Sequence, residues 1–267
     1  MLEKIFQTPS YDIQSIYFTH RDGKKIYAEL YMPKDKTGAR SLVILGHGYT
    51  SSYYMLKGYA EYLSLRNIAC CIFDFCGGSN YSRSDGSMLE MSVLTQAEDM
   101  KLLMGELKKN GDFTPDRLYT GGESQGGLVA ALVAAELPSE IAGLILLYPA
   151  LYIPDIMRKQ FPDRSSIPAH ITQLGATVGR QYADDVYDLD VYCQIAKYTG
   201  MVLILHGSND NMVPLHYSQK AEQEYKNARL VVLPGAGHGI YSGAAMRTAC
   251  KEIEDFITRK EKMERDM

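Results

Sequence analysis

The first apolar pattern along the chain alternates. Ile26, Ala28, Leu30 and Met32 interleave with Lys25, Tyr27, Glu29 and Tyr31, the period of two that a strand shows when one face meets a core. Ser15 to Thr19 lies just before, across Arg21-Asp22-Gly23-Lys24, and Asp-Gly suits a tight turn between antiparallel strands. An antiparallel hairpin at a sheet edge is therefore predicted, followed by a polar turn from Pro33 to Arg40. From Ser41 the pattern changes. Ser41-Leu-Val-Ile-Leu-Gly-His-Gly, Asn67-Ile-Ala-Cys-Cys-Ile-Phe-Asp-Phe, Ala142-Gly-Leu-Ile-Leu-Leu-Tyr-Pro, Met201-Val-Leu-Ile-Leu-His-Gly and Ala228-Arg-Leu-Val-Val-Leu-Pro are apolar runs without alternation. Such runs belong to strands covered on both faces, as in a parallel sheet flanked by helices. With a strand through Leu118 and Tyr119, they make six buried strands.

Helical spacing falls between them. Val93, Leu94, Ala97, Met100, Leu103, Met104 and Leu107 recur at three and four, as do Met246, Ala249, Cys250, Ile253, Phe256 and Ile257. Leu128 to Leu137 is an alanine-rich run without proline or glycine. The order is a hairpin followed by β-α units, a doubly wound, mostly parallel α/β sheet whose site belongs at the C-terminal strand ends. One connection is too long. About fifty residues separate Pro149 from Met201, where a crossover needs a helix and two short loops. This segment carries Pro154, Pro162, Pro168 and several tyrosines, and reads as a small inserted cap, 151–198, on a core formed by 1–150 and 199–267. The charged tail from Arg259 to Met267 reads as a fraying helix end.

Composition narrows the partners. A chain of 267 residues, 46% hydrophobic and 22% charged, is ordinary for one globular domain. A net charge of -4 offers no footprint for nucleic acid or an anionic membrane surface. The N-terminus lacks an apolar signal region and no window approaches a membrane span, so a cytoplasmic protein is expected. The five cysteines, Cys70, Cys71, Cys76, Cys193 and Cys250, lack paired metal-site spacing and read as reduced, buried thiols. The sequence leaves the oligomeric state open, a homodimer included.

The chemistry centres on Gly122-Glu123-Ser124-Gln125-Gly126, a G-x-S-x-G run between a strand and a helix. A strand that reverses straight into a helix holds the serine in a strained backbone, and only glycine fits two residues to either side. The lysine of a P-loop and the spacing of a dinucleotide loop are both missing. A serine nucleophile needs a base and a carboxylate to orient that base. His238, in Gly235-Ala-Gly-His-Gly after the last strand, is the expected base. His47 and His206 end strands beside glycines and read as structural, while His20, His170 and His216 fall in the hairpin, the cap and a helix start. Asp210, in the loop after the strand ending at His206, is the expected acid, in the chain order Ser, Asp, His; Asp155, after the preceding strand, is the alternative. The Gln125 N–H supplies one oxyanion donor and the Tyr49 N–H, in the loop after Gly46-His47-Gly48, the other. No metal constellation is present and no cofactor is expected.

These features together resemble the serine α/β-hydrolases, and among them the chain is similar to the bacterial cinnamoyl (feruloyl) esterases and related carboxylesterases. The resemblance spans Ser15 to Ile257 and rests on His47-Gly-Tyr, Phe73-Asp-Phe, Ser124-Gln-Gly-Gly, His206-Gly-x-x-Asp-x-x-Val-Pro and Gly237-His238. It implies an α/β-hydrolase fold and cofactor-free cleavage of a small-molecule ester through an acyl-enzyme. It also implies that Asp155 and Tyr182 match the cap residues that bond the hydroxyls of an aromatic acyl group in those esterases, although Asp155 also suits a helix cap and Tyr182 plain packing. The chain departs at Cys76-Gly-Gly-Ser, where relatives carry Gly-His-Gly-x-Ser or similar, and at Glu123, where they often have histidine. A general short-chain carboxylesterase, a monoacylglycerol lipase, a thioesterase, a prolyl-oligopeptidase-like peptidase and a non-catalytic receptor stay open as alternatives.

Overall fold

The computed structural model describes residues 2–20, 22–35, 41–109, 113 and 115–265. In chain order the elements are β1 (Leu2–Gln7), β2 (Tyr11–Thr19), β3 (Lys25–Pro33), β4 (Ser41–Gly46), α1 (Lys57–Ser64), β5 (Ala69–Phe73), α2 (Val93–Lys108), β6 (Arg117–Glu123), α3 (Gln125–Glu136) and β7 (Gly143–Leu147). There follow α4 (Ile153–Gln160), β8 (His170–Gln173), β9 (Ala176–Gly179), α5 (Gln181–Asp184), α6 (Val191–Ile195), β10 (Met201–Gly207), α7 (Leu215–Glu224), β11 (Ala228–Leu233) and α8 (Gly243–Arg265). Parts of the expected polar turn (36–40), of the hairpin turn (Arg21) and of the charged tail (266–267) lie outside the described residues.

One sheet runs in the order β1-β2-β3-β5-β4-β6-β7-β10-β11. The pairs from β5 through β11 are parallel, and β1, β2, β3 and β5 pair antiparallel. The apolar runs are buried on both faces for a visible reason. In β4, Leu42 and Ile44 join the core built with α2 and α3, while Val43 and Leu45 join the core built with α1 and α8. From β4 the chain crosses to β5 on one side and then returns to β6 on the other. That reversal opens a crevice at the C-terminal ends of β4 and β6, where such sheets bind ligands.

Three expectations need correction. The hairpin is not at the edge: β1 lies outside β2, and β3 is interior, paired with β5. The polar side of β3 is accordingly covered, with Tyr27, Glu29 and Tyr31 all buried. Glu29 accepts both tyrosine hydroxyls, at 3.0 and 2.8 Å, and meets Lys57 Nζ at 3.3 Å. Alternation reports polarity, and a polar strand face can be buried when its groups satisfy one another. Conversely β11 is an edge strand bonded to β10 alone and is only partly buried. Finally, Cys193 is exposed and Cys76 half-buried; only Cys70, Cys71 and Cys250 fit the buried description.

The long connection folds into α4, a separate β8/β9 hairpin, α5 and α6. Ile153, Met157, Ile171, Val178 and Tyr182 from this segment join the same apolar cluster as α2 and α3, so it is seated on the sheet's C-terminal end rather than held apart.

Candidate active site

Ser124 stands between β6 and α3 with φ 50° and ψ -117°, a conformation that costs a non-glycine residue of the order of 1–3 kcal/mol. The surroundings hold it there. Ser124 N–H donates to Leu147 O at 2.9 Å, and its carbonyl accepts from Gly127 N–H at 3.1 Å and Ala150 N–H at 2.8 Å. The flanking glycines are required by contact. A Cβ on Gly122 would lie 2.5 Å from Gly126 O and 2.7 Å from Gly46 O, and one on Gly126 would lie 2.5 Å from His47 O. The elbow is thus pressed against the end of β4, and its serine faces the crevice.

His238 Nδ1 lies 2.8 Å from Asp210 Oδ2. Because a carboxylate only accepts, Nδ1 carries the proton and Nε2 is the free basic nitrogen. The Asp210 side chain is shielded from solvent and its remaining lone pairs are used. Oδ1 accepts Met212 N–H at 2.9 Å and Val213 N–H at 2.8 Å, and His206 Nε2 stands 3.4 Å from Oδ2. Burial on its own would raise the carboxyl, but bonds from His206, His238 and Val213 N–H outweigh it and hold Asp210 well below the usual carboxylate range. His206 is fixed in turn, Nε2–H on Val213 O at 3.0 Å and Nδ1 on Ser218 Oγ at 2.7 Å. The strand-end histidine is therefore part of the setting of Asp210, which its position in the sequence did not disclose.

A small cavity of about 40 Å³ opens beside Ser124, lined by Tyr49, Gln125, Ile153, Met157, Leu174 and Tyr182. The structure brings Tyr49, Gln125 and Tyr182 to this cavity with Ser124 and leaves Asp155 out. Ile153, Ile156 and Met157 line it from one face of α4; Asp155, two residues on from Ile153, is about 200° round the helix. Its carboxylate is half exposed, bonded to Arg158 Nη2 at 2.6 Å and to the Tyr217 hydroxyl at 2.9 Å. Asp155 thus does not line this cavity, and the carboxylate bonded to His238 is that of Asp210. Tyr182 is buried, with its hydroxyl donating to Gln125 Oε1 at 2.7 Å and its ring 5.7 Å from that of Tyr49. Gln125 Nε2 donates to Gln96 Oε1 at 2.8 Å, so the tyrosine and the two amides form one hydrogen-bonded chain.

One residue beside His238 was missed. Tyr148 packs edge-on against His238, ring centroids 4.8 Å apart at 68°, and its hydroxyl donates to Glu123 Oε2 at 2.7 Å. Burial raises both the Tyr148 and Tyr182 phenols well above their ordinary value, so both remain hydroxyl donors. Only the departure at Glu123 hinted at this arrangement. The Cys76-Gly-Gly-Ser departure lies elsewhere: a Cβ on Gly78 would meet His47 Cε1 at 2.8 Å, and this loop lines the back of His47 rather than the cavity. Among the described residues no group of three or more His, Cys, Asp or Glu could hold a metal ion, and no helix is long and apolar enough to cross a membrane.

With this geometry in place, the model of the prolyl oligopeptidase family matches residues 54–264, well over half of the chain. The chain belongs to the prolyl oligopeptidase family. This member has the α/β-hydrolase fold. It is similar to Est1E from Butyrivibrio proteoclasticus, solved with ferulic acid bound, at 29% identity and a TM-score of 0.82, covering 92% of this chain and 98% of that one. An esterase of Pyrococcus furiosus shares the fold at 19% identity and a TM-score of 0.70, over 93% of this chain and 91% of that one. Among curated sequences, the uncharacterized protein YfhR of Escherichia coli O157:H7 is 23% identical over 243 residues, 88% of this family member and 77% of YfhR.

Proposed function

We propose that the protein is a serine hydrolase of carboxylic esters working through an acyl-enzyme. Ser124 Oγ adds to the ester carbonyl as its proton passes to His238 Nε2. The oxyanion forms against Tyr49 N–H and Gln125 N–H, the second at the start of α3 where the helix dipole favours negative charge. His238 then protonates the leaving alkoxide, and water repeats the sequence to release the acid. Asp210 keeps the proton on Nδ1 and stabilises the imidazolium. The observation that carries this reading is the 2.8 Å His238–Asp210 bond together with a serine in strained elbow geometry, all three residues following parallel strands of one sheet.

The cavity walls, Ile153, Met157, Leu174 and the rings of Tyr49 and Tyr182, suit a compact apolar acyl group. A hydroxycinnamate ester is the second reading, favoured by the likeness to Est1E with its bound ferulic acid. With Asp155 turned away and the Tyr182 hydroxyl engaged by Gln125, such a ring would bind by its faces rather than through its hydroxyl.

The test is a fluorophosphonate probe together with p-nitrophenyl acetate, p-nitrophenyl butyrate, methyl ferulate and a prolyl anilide. Labelling and ester hydrolysis by the unmodified protein are expected, with both lost in Ser124→Ala, the rate by several orders of magnitude. Ester hydrolysis surviving in Ser124→Ala above about a tenth of the original rate, or cleavage of the anilide with no ester turned over, sinks the assignment.

A further inference from the structure

Glu123 is the residue of the elbow that the mechanism leaves unused. It is 1% exposed and stands directly before Ser124. Its Oε1 accepts the Gly48 N–H and the Ser51 hydroxyl, each at 3.2 Å, and its Oε2 accepts the Tyr148 hydroxyl at 2.7 Å. A buried carboxylate is tolerated only when donors surround it, and this one draws its donors from two separate loops, those after β4 and β7.

What those loops do is set by one peptide. His47 accepts the Phe75 N–H on Nε2 at 3.2 Å, so its Nδ1–H donates to Gly48 O, at 2.8 Å. The Ser51 N–H reaches the same carbonyl at 3.2 Å. Gly48 is therefore tied on both sides, its N–H by Glu123 and its C=O by His47. In a trans peptide the carbonyl and the following N–H point in opposite directions, and no peptide of the described residues is cis. Holding Gly48 C=O against His47 thus points the Tyr49 N–H away from His47. The site is tight at this point: a Cβ on Gly48 would stand 3.2 Å from Ser124 Cβ and 3.6 Å from Glu123 Oε1. On the other oxygen, Glu123 holds Tyr148, whose ring edge bears on His238.

The geometry points to Glu123 as a positioning residue, whose single carboxylate aims the Tyr49 oxyanion donor through Gly48 and seats His238 through Tyr148. This rests on the reading of Ser124, His238 and the Tyr49 amide given above. Glu123 touches no reacting atom. Its effect is to keep donor and base in register without reorganisation when charge develops. Deleting a whole oxyanion donor costs on the order of 10² to 10³ in rate. Loosening one that is still present costs less, on the order of 10 to 10².

The experiment compares Glu123→Ala, Glu123→Asp and Glu123→Gln with the unmodified protein, using p-nitrophenyl acetate and phenyl trifluoromethyl ketone. Ser124 Oγ adds to the ketone carbonyl, its proton passes to His238, and the carbonyl π pair becomes an oxyanion in the same hole. Sites are counted by fluorophosphonate titration and folding is checked by circular dichroism. In Glu123→Ala, kcat per titrated site is expected to fall on the order of 10 to 10². KM should stay within about threefold while ketone affinity weakens in parallel with kcat. Glu123→Gln, which keeps an acceptor for Gly48 N–H, should recover most of both. A merely structural role would lower the number of titrated sites and leave kcat per site and ketone affinity unchanged; that result overturns the inference. Should Glu123→Ala not fold, Glu123→Asp decides, since it keeps the charge but withdraws it from Gly48 N–H, and an unaltered kcat per site there is equally fatal. Absence of ester hydrolysis by the unmodified protein removes the proposed function and this inference together, whereas hydrolysis undiminished by the Glu123 changes removes the inference alone.

Discussion

Replacing Asp210 by asparagine alters little volume and makes one set of bonds impossible. The carboxylate takes two backbone N–H donors on Oδ1 and faces two imidazole nitrogens on Oδ2. An amide has one acceptor oxygen. If that oxygen stays with Met212 and Val213, the NH₂ group faces His238 Nδ1 and the Nε2–H of His206. His238 then accepts on Nδ1 and carries its proton on Nε2, the wrong form for a base, while the His206 donor loses an acceptor. The rate loss expected is on the order of 10⁴ in kcat, which is about 5.4 kcal/mol at 1.36 kcal/mol per factor of ten. Stability should drop by about 1–3 kcal/mol from the buried mismatch. The assay is p-nitrophenyl acetate turnover per folded molecule with urea unfolding alongside. Asp155→Asn is the control, and with its half-exposed pair to Arg158 it should leave the rate within about twofold. A loss under about tenfold in Asp210→Asn, or a larger one in Asp155→Asn, refutes the reasoning.

Asp99 provides a test in pH. Burial raises its carboxyl to about 6, against the opposing bond from Cys76 N–H at 2.8 Å, while the unfolded chain holds it near 3.9. An acid raised on folding favours the folded state fully below about pH 4 and loses that contribution as pH rises through 6. Relative to the unmodified protein, Asp99→Asn should therefore gain stability between pH 4 and pH 8, by up to about 3 kcal/mol; urea midpoints whose difference does not move with pH contradict this. Tyr182→Phe leaves Gln125 Oε1 without its buried donor, a change worth about 1–3 kcal/mol, directly beside the nucleophile. Its effect on kcat/KM should be similar for methyl ferulate and p-nitrophenyl butyrate, and a loss confined to the ferulate would mean that the tyrosine hydroxyl is free to meet substrate.

Much of the fold was legible in the chain because its signals are local. Unbroken apolar runs at β4, β5, β7 and β10 report a sheet covered on both faces, and glycines two residues either side of Ser124 report a backbone squeezed against its neighbour. The order of Ser124, Asp210 and His238 was also readable, since each follows a strand and parallel strands deliver their C-terminal loops to one end of the sheet. Where strands sit in the sheet was not readable. The polarity of β3 suggested a solvated face because nothing in its sequence says that Tyr53 and Lys57 will cover it, and β11 looked like an interior strand because an edge differs only in what fails to pair with it.

The division is sharpest at the site. The sequence by itself determined that Ser124, Asp210 and His238 each follow a strand of the sheet, because strand ends and tight turns dictate where a backbone goes. Only the tertiary structure decided which side chains face the cavity. Asp155 and Ile156 are neighbours in the chain, yet α4 turns one to Arg158 and Tyr217 and the other to the cavity beside Ser124. Glu123, His47, His206 and Tyr148 acquire their roles from partners brought together by folding, such as Gly48, Asp210 and His238. A buried polar group must be satisfied by whatever the fold puts beside it, and those partners are distant in sequence.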